Sequence, residues 1–155
     1  MQGVVKAMIR DKKRLLTKDL FCALKETRHI DEFIQNHEAE MTEVRLSAYL
    51  YELVDRAGLT IPLIIDKASI GKSLAYQIFN GKRTPNRNLL LRIALVLKLN
   101  LEDTQRLLRI ARRGELYPRI QRDAAIIFCI EHNYSLIDTN ELLENLGEAI
   151  LLKED

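Results

Sequence analysis

Gly71-Lys72-Ser73 is where this chain comes nearest to a phosphate-gripping loop. That signature needs a further glycine five residues before Gly71 and a strand ahead of it, and the position holds Asp66. His29, His37 and His132 form no HExxH pair and no close ligand set, so no metal is expected. Cys22 and Cys129 stand 107 residues apart without a CxxC, which gives neither a disulfide framework nor a zinc site. His29 and His132 lie within a few residues of these cysteines, but neither pair has a nucleophile–base signature. Cys129, inside Ala124–Ile130, reads as a buried small hydrophobe. The carboxylates Glu102-Asp103 are accounted for by a helix N-terminus. No catalytic residue, metal or cofactor is therefore assigned, and the chain is not expected to be an enzyme.

Binding chemistry remains, and the charge distribution bears on it. The chain has 155 residues, with 24 Lys+Arg against 22 Asp+Glu. Residues 1–65 carry 10 basic and 10 acidic side chains, 66–122 carry 13 and 4, and 123–155 carry 1 and 8. A central block of net +9 between a neutral head and a tail of net −7 is the asymmetry of a polyanion-binding surface. Apolar residues make up 47% and charged residues 30%, as in globular proteins. No window offers the roughly 20 consecutive apolar residues of a membrane span. The basic start, Met1–Leu16, lacks the apolar core and cleavage site of a secretory signal, and the two lone cysteines fit a cytoplasmic location.

The elements that must position these charges are helices. Gly (6) and Pro (3) are scarce, and apolar residues recur at helical spacing. Thr17 is expected to cap a helix ending at Thr27-Arg28, with a second over Asp31–His37. Ser47 opens another that Gly58 closes in the left-handed conformation. Thr60 caps a short helix running to Ala68, with Pro62 tolerated in its first turn. After Ser69-Ile70-Gly71 comes a helix over Lys72–Phe79, stopped by Asn80-Gly81, and then the basic loop Lys82-Arg83-Thr84-Pro85. Asn86 and Asn100 cap the next two helices, with Gly114 closing the second. Arg119–Glu131 and a helix capped by Ser135 follow. Sliding Asn86–Leu108 by 35 residues onto Gln121–Leu143 aligns Arg87 with Arg122, Asp103 with Asp138 and Leu107-Leu108 with Leu142-Leu143. This predicts a folded C-terminal hairpin, whether it is a second copy of the unit before it or a product of convergent capping chemistry.

Gly58–Leu99, with its two short helices, three-residue break and Asn80-Gly81-Lys82-Arg83-x-Pro85 element, resembles the phage-repressor (Cro-like, XRE) helix-turn-helix family. The likeness covers about 50 residues, Gly58 to Leu108. It implies an all-α fold: a lambda-repressor-like core over residues 46–114, helical extensions over 1–45 and a C-terminal helical hairpin over 115–155. The family's register puts Lys72, Ser73 and Gln77, with Tyr76 beside them, at base edges of a major groove. There Lys matches guanine and Gln matches adenine. Lys82, Arg83 and Arg87, with the backbone N–H groups of Asn80 and Gly81, would contact phosphate. The partner implied is double-stranded DNA, the role that of a bacterial transcriptional regulator. A homodimer would form through the apolar, acidic hairpin Ala124–Leu152. Three positions differ from the family pattern: Ile61 stands where Gln is frequent, Ile65 where a small residue is, and Ser69 where Gly is favoured. The alternative is a protein-interaction module that keeps the fold and docks a partner through Ile61–Ile65 or the acidic hairpin.

Overall fold

The computed structural model describes residues 16–41 and 44–152, so the basic segment 1–15 lies outside it. Among the described residues the protein is all-helical, with nine α-helices, one short 3-10 turn and no strand. No helix among them is long and apolar enough to cross a membrane. The chain divides into two compact units between Glu43 and Val44.

The first unit pairs α1 (Thr17–Glu26) with α2 (Ile30–Asn36). Thr17 is the first helical residue rather than the cap. Leu16 takes the cap position, without a side-chain bond. Phe33 is buried, stacked on His37 at a centroid distance of 4.4 Å.

The second unit begins with α3 (Leu46–Ala57), whose Tyr49, Leu50, Leu53 and Val54 form one buried stripe. Gly58 ends it at φ 68°, where a residue bearing a Cβ is disfavoured. α4 (Ile61–Lys67) carries Pro62 in its first turn, where the missing N–H costs nothing. Of the apolar run Ile61–Ile65, Ile64 is buried, Ile61 and Ile65 pack on the core, and Leu63 remains at the surface. Ser69 takes a left-handed φ of 52° in the turn to α5 (Lys72–Phe79). Glycine would take that φ without strain, and Arg92 braces the turn. Its guanidinium, 2% exposed, donates to the Ala68 and Ser69 carbonyls and to Leu152 O at 2.9 Å.

Arg92 belongs to α6 (Arg87–Val96), buried along nearly its whole length and packed on α4. Four helices then form two hairpins: α6 with α7 (Leu101–Ile110), and α8 (Gln121–Glu131) with α9 (Leu136–Asn145). The 35-residue offset recurs in several pairs of equivalent bonds. Asn100 and Ser135 accept from the N–H groups of Asp103 and Asp138 at 2.8 and 3.0 Å. Gln105 brackets the backbone of Leu116 with both amide atoms, as Asn140 does that of Leu151. Arg87 Nε donates to Gly114 O and Arg122 Nε to Ala149 O, both at 2.8 Å. Lys98 and Asn133 are both left-handed at φ 55°. The second helix of each copy closes through Arg112 (φ 55°) and Gly147 (φ 73°), so Arg112, not Gly114, is the left-handed residue. Gly114 instead offers its carbonyl to Arg87.

The two copies face each other reciprocally. Arg87 of the first reaches Asp123 of the second, while Arg122 of the second reaches Asn88 of the first; Asn88 and Asp123 are equivalent positions. Likewise α6 packs on α9, and α7 on α8. Such i-to-j and j-to-i contact is the mark of a two-fold axis, here an approximate one within a single chain. The hairpin over residues 115–152 therefore shares one core with the preceding helices, from Tyr49 to Leu151.

Candidate nucleic-acid interface

α5 divides cleanly. Ala75, Ile78 and Phe79 are buried, with Phe79 edge-on to Tyr51 of α3 at 5.4 Å. Lys72, Ser73, Tyr76, Gln77 and Asn80 are exposed and recur at helical spacing, which places them on the outward side. This separation follows from the sequence pattern: apolar residues at 75, 78 and 79 fix the inward face, and the polar ones can only face solvent.

The basic loop is held against the end of that helix. The N–H groups of Lys82 and Arg83 both donate to Gln77 O, at 2.9 and 3.2 Å. Gly81 sits at φ 76°, and a Cβ on it would lie 3.3 Å from Ser47 Oγ of α3, so any other residue in this turn would be strained. Lys82 and Arg83 are exposed, and no carboxylate among the described residues pairs with them or with Lys72. Desolvated polyanion contacts would not first have to break an internal ion pair.

Two parts of the expected phosphate contact fail on geometry. The N–H groups of Asn80 and Gly81 are consumed by Tyr76 O and Ile78 O, closing α5. Arg87 does not join Lys82 and Arg83: it forms two bonds with Asp123, at 3.0 and 2.9 Å, and two more with the Gly114 and Glu115 carbonyls. Asp123 also accepts from Tyr117 N at 2.9 Å. Burial alone would push its carboxyl up. The Arg87 and Tyr117 bonds and the charges of Arg87 and Arg122 overcome that and hold it below the usual carboxylate range.

The same account reduces the whole basic block. Arg92 is buried, Arg122 holds the Ala149 and Ile150 carbonyls, and Lys98 holds those of Asn133 and Tyr134. Arg106 lies over the buried Tyr49 ring at 4.9 Å, and Arg109 pairs with Glu115 at 3.3 Å. Six of the 13 basic side chains of this block are thus engaged within the fold, while Lys72, Lys82 and Arg83 stay exposed on α5 and the loop that follows it. Sequence reasoning missed one neighbour. Exposed Arg113, at the end of α7, donates from Nε to Pro85 O at 3.1 Å and so lies against the basic loop. Its distance of 28 residues from Pro85 left no local signal.

No group of three or more His, Cys, Asp or Glu among the described residues is placed to hold a metal ion. Cys129 is buried, and burial raises its thiol pKa, the reverse of an activated nucleophile. Comparison with protein-family models, with curated proteins and with solved structures gives no match.

Proposed function

We propose that this protein binds double-stranded DNA as a helix-turn-helix regulator, with α4 and α5 as the helix pair and α5 as the reader. The observation that carries the reading is the outward face of α5. Lys72, Ser73, Tyr76, Gln77 and Asn80 stand exposed there, with Lys82 and Arg83 secured beside them and unpaired. A helix of 8 residues, apolar behind and polar in front, suits a groove about 12 Å wide. Lys72 and Gln77 supply base-edge donors and acceptors; Lys82 and Arg83 supply phosphate contacts that fix register.

Selection of bound duplexes from a random pool, followed by salt titration, tests this. Two phosphate contacts predict a log–log slope near −1.8, or about 12-fold weaker binding between 50 and 200 mM salt. Arg83→Ala should weaken all duplexes alike and reduce the slope by about 1, whereas Lys72→Ala with Gln77→Ala should change the selected sequence. A flat salt response, or a pool that yields no enriched sequence, overturns the proposal.

A further inference from the structure

The internal two-fold has a consequence on the far side of the second hairpin. Because the two hairpins meet through equivalent surfaces, positions buried in one copy only must be covered by something else. In the first copy that cover is α3, packed on α7, and α4, packed on α6. Ile93 (0% exposed), Leu97 and Ala111 (6%) belong to the core that those two helices help to form. Their counterparts are Phe128 (43%), His132 and Leu146 (45%), all open to solvent. Phe128 stacks on His132 at 4.0 Å and meets Tyr134 edge-on at 5.6 Å, which makes a ready-formed aromatic platform.

We infer that this face of α8 and α9 is a docking surface for a basic amphipathic helix of another protein, seated as α3 is seated on the first hairpin. The polar residues define the occupant. Asp103 receives Arg56 from the last turn of α3 at 2.5 Å, and its counterpart Asp138 has no ion-pair partner among the described residues. Arg106, over the Tyr49 ring, is replaced by Glu141, and Val96 by Glu131. The occupant therefore needs arginine or lysine where α3 has Tyr49 as well as at Arg56, around an apolar stripe like that of Leu50, Leu53 and Val54. A second copy of this chain, meeting itself through the same face, would bring the carboxylates of Glu131, Asp138 and Glu141 from both copies into one interface. The inference does not rest on DNA binding, since it uses no residue of α5.

The probe is a labelled, end-blocked peptide of residues 45–58 carrying Tyr49→Lys and Asp55→Lys, with the unchanged sequence as comparator, titrated against the full chain by fluorescence anisotropy. The substituted peptide should bind and the comparator more weakly. Phe128→Glu with Leu146→Glu should weaken binding about tenfold or more, as loss of a central apolar anchor does. Both residues are exposed, so circular dichroism should confirm an unchanged fold. Asp138→Asn with Glu141→Gln should weaken binding without touching the apolar platform. Absence of binding, or binding indifferent to the Phe128 and Leu146 changes, overturns the inference. So does a dimer in light scattering that those changes dissolve, since the occupant would then be a second copy.

Discussion

The two arginines that open the paired hairpins make an internal controlled experiment. Arg87 and Arg122 occupy equivalent positions and both hold the carbonyls of a following loop, but Arg87 ends on the carboxylate of Asp123 and Arg122 on the neutral amide of Asn88. The Asp123 side chain is only 3% exposed. Arg87→Gln leaves that buried carboxylate without its cation, which costs about 3–4 kcal/mol. Arg122→Gln removes bonds to neutral acceptors and costs about 1–2 kcal/mol. At roughly 4 °C per kcal/mol for a unit of this size, the melting temperature should fall by about 12–16 °C in the first case and about 4–8 °C in the second.

The acid limb provides a second reading of the same contact. The Asp123 carboxyl is depressed in the folded protein, so its stabilisation is present above the unfolded value of about 3.9 and disappears as pH falls through the lower, folded one. Asp123→Asn should therefore lose about 3 kcal/mol at pH 7, and its gap to wild type should stay constant down to about pH 5 and narrow progressively as pH falls below about 4. Thermal and urea melts of the full chain followed by circular dichroism measure both. Equal losses for Arg87→Gln and Arg122→Gln, or a gap that persists in acid, would refute the assignment of Arg87 to Asp123.

The Tyr49 hydroxyl is buried without a hydrogen-bond partner among the described residues, so Tyr49→Phe should be neutral or should stabilise by about 1 kcal/mol in urea melts. Burial, with Asp103 nearby, pushes its phenol up to about 12, so one of the 5 tyrosines should resist ionisation in an ultraviolet titration until the chain unfolds. Ser69→Gly relieves a left-handed serine and should stabilise by about 0.5 kcal/mol, the strain released being partly offset by the freedom glycine gains when unfolded. Asn100→Ala and Ser135→Ala each remove one cap bond. They should cost about 1 kcal/mol apiece and add in the double variant, because the two caps share no partner.

What the sequence determined here is what short-range chemistry determines. An asparagine or serine three residues ahead of an N–H specifies a helix start, and Asn86, Asn100 and Ser135 all act so. Gly58 was legible as a left-handed stop, Lys72–Phe79 as a helix with one apolar side, and the 35-residue offset as a duplicated hairpin. The destinations of the cations were not legible, because a guanidinium on a long stem takes whatever acceptor the fold delivers. Arg87 meets Asp123 across 36 residues, Arg92 meets Leu152 across 60 and Arg113 meets Pro85 across 28. Counting charge along the chain therefore overstated the basic face, and only packing separated Lys72, Lys82 and Arg83 from the arginines that brace the hairpins. Tertiary structure also decided which copy of the repeat is covered. Ile93 and Phe128 hold the same place in the same motif, yet one is fully buried and the other is 43% exposed.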